Sequence, residues 1–514
     1  MFLLFQRRSA ACLILLLPLL FAVILPGCKK GYDKYWSNEN PKTGFIYDKV
    51  KADTSFSIFA AGLERAGLVK FVNVTGLYTV FAPTNTAFRQ FFQAKAYSTI
   101  ADVPVDDLFA MLSYHIANNM WYYYDFSTRF ATTQKTAYIT RNNKFLNIDV
   151  SVADRFTVNG IAVIKSLQDM DAENGVIHGI GEVLIPLPNA EQVLSKDAAL
   201  AGNVFYQLMQ NLASKQYDRF NSYDADRDGK IDSVFYTTYP LLQNVNTSLE
   251  YIPNSAPESQ GGDPVFTTFL IPDNTVMNTL LAPVLPGFEN DIKKLPRLYV
   301  QALLESYFIK DSIILSDELM ARPRALMAIN GELVPALTAD KLVLADKRAS
   351  NGVVHVLNTT FPVPDKLKSA IGTIMTNPEF TDFVEAIQSA NLTVAYTATS
   401  KAATFLAPTN AAFEAAGINV RKKTLNGVQL TDAQFINIVK QHVISSNLAR
   451  TALTGSKNTD YASNPLVFTT ANNVVSVKSG SGITAEVGTE YRGATGVTNG
   501  YVYRVEQVLM PASY

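Results

Sequence analysis

Residues 80–88 read VFAPTNTAF, and residues 405–413, 325 positions later, read FLAPTNAAF. A third, altered copy, FLIPDNTVM, lies between them at 269–277. Each copy has the same physical grammar. A β-branched and aromatic run meets Pro83, Pro272 or Pro408, which cannot donate to a ladder and so ends the pairing. Thr84-Asn85, Asp273-Asn274 and Thr409-Asn410 follow, residues suited to capping a helix. Phe88, Met277 or Phe413 then sits one helical turn in. The local prediction is strand, corner, capped helix, written three times.

A second stretch closes each copy: NGVIHGIGEVLIP at 174–186, NGVVHVLNTTFPVP at 351–364 and NGYVYRVEQVLMP at 499–511. Asn-Gly suits a tight turn that needs positive φ, and the alternating apolar residues after it suit a strand. Ahead of the first signature, residues 46–67 and 370–391 carry apolar residues near helical spacing, and the former end in a glycine suited to a C-cap. Phe59 precedes Pro83 by 24 residues and Phe383 precedes Pro408 by 25, but Phe205 precedes Pro272 by 67. The middle copy therefore holds an insert of roughly 42 residues, near 216–262, and long insertions are commonly functional.

The paired signatures resemble those of the fasciclin-type (FAS1) domain family. Tyr114-His115 stands at the place of that family's tyrosine–histidine motif, with Tyr307-Phe308 and Gln441-His442 in the later copies. The resemblance covers about residues 46–512. It is weaker in the middle copy, where Ile271, Asp273 and Phe308 depart from the pattern. It implies an α+β fold, each domain a β-sandwich or wedge with helices packed on one side. The domains would run 46–188, 189–364 and 365–514. It also implies a non-enzymatic role in adhesion or binding of cells, matrix or glycans. Tyr114 and His115 become candidate contact residues, without the integrin linked to this region in animal members.

Length agrees, since 514 residues exceed what one core organises. A net charge of −1 gives no field for nucleic acid. Residues 1–27 read as a signal peptide: Arg7 and Arg8 precede an apolar run broken by Pro18 and Pro26. Its ending, LPGC, resembles the bacterial lipobox, with Cys28 as the lipidated residue and 28–45 as a polar tether. The expectation is a protein of the cell envelope, held to the outer membrane by lipid. With Cys12 in the removed segment, no disulfide or thiolate cluster is available.

Four histidines, His115, His178, His355 and His442, all fall in repeated motifs, which favours buried, hydrogen-bonded roles over a metal cluster. No phosphate loop, dinucleotide fingerprint or G-x-S-x-G elbow occurs. Two features lie outside the repeats. DADRDGKIDS at 224–233 sets Asp224, Asp226 and Asp228 at positions 1, 3 and 5 of a calcium loop. Gly229 stands at 6, the Lys230 carbonyl at 7 and Asp232 at 9, while position 12 is Phe235 instead of glutamate. No cofactor is required, and a structural calcium would organise the insert. MWYYYDF at 120–126, read as a strand, puts Trp121 and Tyr123 on one face and Tyr122 and Tyr124 on the other, one pair in the core and the other open, with Trp121 and Tyr123 the candidate binding platform. The partners expected are the membrane and a surface protein or glycan. A glycan-capture lipoprotein serving an outer-membrane uptake system is the alternative. A hydrolase in the insert is a third, and needs two acids about 5–10 Å apart.

Overall fold

Tyr78–Pro83, the strand that opens on the first signature, is buried at five of its six positions and pairs on both edges. Such a strand is largely apolar, since neither face meets water, and its one buried polar side chain, Thr79, is hydrogen-bonded. Its partner in parallel is Gly175–Ile180, with Tyr78 opposite Gly175 and Pro83 opposite Ile180. Ile116–Asn118 and Met170–Ala172 flank the pair antiparallel, giving a four-stranded sheet.

These relations come from a computed structural model that describes residues 44–513 except 130–134, 142–143, 151–155, 218–229, 231–232, 234, 244, 249–250, 253–262, 265, 323, 398–400 and 492–499. The chain divides into two compact units, one ending at Pro186 and the other beginning at Leu187.

In the first unit, one face of the sheet packs on helices Ile46–Ala52, Ser57–Arg65, Asn85–Lys95 and Val105–Ser113. Phe59, Leu63, Phe88 and Leu112 fill that core. Helix Ser57–Arg65 ends as its sequence predicts: Gly67 takes φ +66, and the Leu68 amide bonds the Leu63 carbonyl. The other face, with Phe81 and Ile180, packs on a second sheet formed by Lys135–Ile139, Phe145–Asp149, Thr157–Val158 and Ile161–Ala162. The result is the expected α+β wedge.

The second unit repeats this sheet twice. Phe308–Lys310, Thr267–Pro272, Gly352–Leu357 and Leu342–Ala349 form one copy, and Val443–Ile444, Ala403–Pro408, Gly500–Val505 and Glu490–Tyr491 form the other. The last copy also has the second sheet, at Gly455–Lys457, Leu466–Ala471, Val474–Lys478 and Thr484–Glu486. In the middle copy, the corresponding stretch forms helix Ser316–Ala321 and a short hairpin bridged at Met327 and Leu333. The insert supplies a sheet of its own, Ser214–Tyr217, Phe235–Tyr239 and Val245–Asn246. Glu191 fastens it: the carboxylate accepts from Tyr206, Gln210, Tyr239 and Thr247.

The seam near 364/365 is a packed interface. Side chains from Phe205 to Val502 form one continuous core across it. Helix Arg297–Leu304 lies within that core and packs on Asp365–Lys368 and Ala370–Thr376. Leu298, Tyr299, Val300, Ala302, Leu303 and Leu304 are all buried there. Only Arg297 and Gln301, four residues apart on one face, keep contact with water on this helix. Its counterparts, Val105–Ser113 and Asp432–Lys440, are buried on one face only.

Three expectations change. Gly175, Gly352 and Gly500 do not have positive φ. Glycine is needed because an added Cβ would collide with the carbonyl oxygen of Tyr78, Thr267 or Ala403 on the parallel strand. The segment at 120–126 is not a strand, since a helix begins at Tyr123 and runs to Arg129. The register also reassigns the middle tyrosine–histidine position. Phe308 pairs with Phe269 as Ile116 pairs with Val80 and Val443 with Phe405. The residue corresponding to His115 and His442 is therefore Tyr307, one place earlier than Phe308.

Candidate functional site

The two signatures meet around the central strand in a set of hydrogen bonds repeated at each of the three sheets. Thr84, Asp273 and Thr409 are N-caps, accepting the amides of Ala87, Val276 and Ala412. The asparagine after each cap reaches back to the preceding helix. Asn85 Oδ1 accepts the Ile58 amide and its Nδ2 donates to the Thr54 carbonyl, 2.9 and 2.8 Å. Asn274 does the same with Val204 and Gly202, and Asn410 with Asp382 and Pro378. The [T/D]-N pair thus joins two helix N-termini, one orphan amide each.

Four residues before each proline stands a threonine that the motif reading overlooked. Thr79 Oγ1 donates to the Asn119 carbonyl and accepts the Trp121 amide. Thr268 treats Ser312 and Ile314 alike, and Thr404 treats Ser446 and Leu448 alike. The spacing is the same in all three copies and was readable in the sequence.

The carbonyl of that anchored residue is taken from the other side. His178 Nε2–H donates to Trp121 O at 2.9 Å while its Nδ1 accepts the Asp169 amide at 3.2 Å. His355 bonds Ile314 O and the Asp346 amide in the same way. In the last domain Tyr503 stands there, and its hydroxyl donates to Leu448 O at 3.0 Å. A second clamp holds the segment after the closing strand. His115 Nδ1–H donates to Met111 O, and its Nε2 accepts the Leu184 amide at 2.9 Å. His442 repeats this with Ile438 O and the Leu509 amide. In the middle domain the Tyr307 hydroxyl accepts the Phe361 amide.

All four histidines are buried and have both ring nitrogens engaged. Burial pushes His115 and His442 down to about 4, against the raising effect of the carbonyl each bonds. Burial likewise lowers His178 and His355, although a carbonyl and Asp169 or Asp346 pull upward. None is placed to exchange protons with a substrate.

The candidate contact residues fall on both sides of the surface. Tyr114 is 6% exposed, its hydroxyl accepting from Asn159 Nδ2, and His115 is fully buried. Neither side chain presents a contact surface. Trp121 is half-buried, stacking on Phe126 at 6.2 Å and donating Nε1–H to Asn118 O. Tyr123 is half-buried against Phe156, with the Lys165 ammonium 5.4 Å from its ring centroid. Tyr122 donates to Asp171 at 2.6 Å, while Tyr124 is 61% exposed. More open aromatic surface lies on the insert, where Tyr217 and Phe235 pair across the strands with rings 5.7 Å apart and are 47% and 58% exposed.

Asp224, Asp226, Asp228, Asp232 and Cys28 lie outside the described residues, and Lys230 is exposed. Phe235, at loop position 12, belongs to a strand. Among the described residues, no group of three or more acidic, histidine or cysteine side chains could hold a metal. No helix among them is long and apolar enough to cross a membrane.

The family described as Fasciclin domain matches residues 54–186 and 378–511. Human periostin is 22% identical over 377 residues, 72% of this chain and 37% of periostin. The pig protein "Transforming growth factor-beta-induced protein ig-h3" is 29% identical over 155 residues, 30% of this chain and 21% of that protein. Protein sll1483 of Synechocystis is 30% identical over 141 residues, 27% of this chain and 73% of the cyanobacterial protein. The matches thus span well under half the length of the two animal proteins.

Proposed function

The chain belongs to the fasciclin domain family, and from that premise we propose that it is a non-enzymatic adhesion or binding protein, carried at the cell envelope on a lipid at Cys28. The observation that carries the reading is the fate of the histidines. The residue type best suited to proton transfer near neutral pH is used four times, each time as a buried clamp. Repeated rigid modules suit adhesion, since several weak contacts on one tether multiply avidity.

A surface coated with the purified full chain tests this. Saturable attachment of cells, matrix protein or an arrayed glycan is expected. Attachment equal to an albumin-coated control on all three would remove the reading. The anchor has its own test: Cys28→Ala should abolish fatty-acid labelling and shift the protein from the membrane to the soluble fraction.

A glycan ligand is the second reading, favoured by the open ring pair Tyr217 and Phe235. Sugar rings stack on exposed aromatic faces, which Trp121 and Tyr123 offer only in part. Glycan-array signal lost in Tyr217→Ala and Phe235→Ala but kept in Trp121→Ala would locate the contact on the insert. A flat array with the parent chain would end this reading while leaving protein adhesion standing.

A further inference from the structure

The same two clamps occur in three chemical versions within one molecule. The first domain uses histidine at both places, His115 and His178. The middle domain uses Tyr307 and His355, and the last uses His442 and Tyr503. Tyrosine keeps one of the two bonds at each place and does so in acid without gaining a proton. Histidine cannot: a clamp nitrogen that accepts an amide N–H loses its lone pair when protonated, so two N–H groups then face each other.

We propose that the first domain is the acid-labile module of this chain, with His115 and His178 as its two proton-accepting clamps, while tyrosine at one place leaves each later domain with a single titrating clamp.

The surroundings of each ring decide how strongly it responds. His115 faces the Phe59 ring, Met111 O and the Leu184 amide, and no charged side chain acts on it. A proton there would go uncompensated. His178 faces Phe81 from the central strand, Phe126 from the corner helix and Phe156 from the second sheet. The one charged group acting on it is Asp169, 3.7 Å from Nδ1 and occupied by the Tyr123 amide and Gln168. The hairpin's Asp171 is occupied by Tyr122, and Lys165 lies over Tyr123. Asp169 offsets part of the cost at His178, so His115 is the stronger element.

The sign follows from linkage. Both rings are neutral when folded and take protons once unfolded, below about pH 6.5. The stabilisation is complete above that value and falls as pH drops toward the lowered folded values. Each histidine removes about tenfold from the folding constant per pH unit in that window, so the pair approaches a hundredfold.

The chain carries its own reporter. Of its two tryptophans, Trp36 and Trp121, only Trp121 lies in the described first domain, and its carbonyl is the His178 acceptor. In full-length Trp36→Phe protein, urea unfolding followed by tryptophan fluorescence reads the first domain alone. The expected result is a midpoint that falls steeply between about pH 6.5 and 4.5. His115→Tyr with His178→Tyr, the residues the other domains use, should flatten that slope. Should the double variant not fold, His115→Gln can keep both bonds without a titrating group and should remove at least half of it. A midpoint independent of pH in the parent, or an unchanged slope in whichever variants fold, overturns the proposal.

Discussion

The Tyr307 hydroxyl accepts the Phe361 amide at 3.3 Å, in the place where His115 Nε2 accepts the Leu184 amide at 2.9 Å. Phe361 also stacks on the Tyr307 ring, with centroids 4.8 Å apart and planes at 11°. The tyrosine holds the closing segment by both its face and its oxygen. Tyr307→Phe keeps the stack and leaves a buried amide unpaired, which costs about 1–3 kcal/mol. Urea unfolding should show the loss, and a midpoint equal to the parent's would mean that the ring alone holds the segment.

Asn85 and Asn410 each join two helix starts. Asn85→Ala removes the partners of the Ile58 amide and the Thr54 carbonyl together, and about 1–2 kcal/mol is expected from comparable cap losses. Asn85→Asp keeps the acceptor and should recover part of that. Equal stability of the alanine and aspartate variants would contradict the two-sided role.

Two glycines of the first unit that each follow an asparagine, Gly175 and Gly160, answer to different demands, which alanine separates. At Gly175 an added Cβ meets the Tyr78 carbonyl and the Ile46 side chain, so the parallel strands must part. A loss above about 3 kcal/mol, or insoluble protein, is expected. Gly160 has φ +81 with nothing within 4 Å of the added atom, so Gly160→Ala costs only backbone strain of about 1–2 kcal/mol. Comparable thermal shifts for the two would refute the close-approach account.

At the seam after residue 364 a buried carboxylate pairs with a partly exposed lysine. Glu305, its side chain 3% exposed, accepts from Lys366 Nζ and Gln301 Nε2, both at 2.8 Å. Lys366→Met strands that carboxylate, at a cost of about 2–4 kcal/mol, below the fully buried case because the lysine is partly exposed. Adding Glu305→Gln should restore most of it. An additive double mutant would mean that the pair is not coupled.

Calcium at the insert loop predicts heat on isothermal titration of the full chain and a rise in thermal midpoint at millimolar calcium. Asp226→Ala should abolish both. Absence of both effects in the parent would end that assignment.

The repeated unit was legible because its signals are local. Proline stops a strand, threonine or aspartate caps a helix, and glycine ends one, each through the geometry of a few adjacent residues. The roles of Tyr307 and Tyr503 were not legible in the same way. Pairing the middle motif by its letters put Phe308 opposite His115, and only the ladder to Phe269 moved the match to Tyr307. The aromatic run misled for a related reason. Four successive aromatics were read as a strand, whereas the Tyr122 amide bonded to Asp125 starts a helical turn.

By itself, then, the sequence determined the module: strand, corner, capped helix and closing strand, written three times. Backbone sterics and capping act over three or four residues and leave a trace in the letters. Tertiary structure alone decided that the second and third copies share one core, that the Asn-Gly glycines serve a parallel strand instead of a turn, and that histidine and tyrosine exchange places in the two clamps. Each depends on which backbone atom, distant in the chain, comes within bonding distance of a buried side chain, and packing sets that distance.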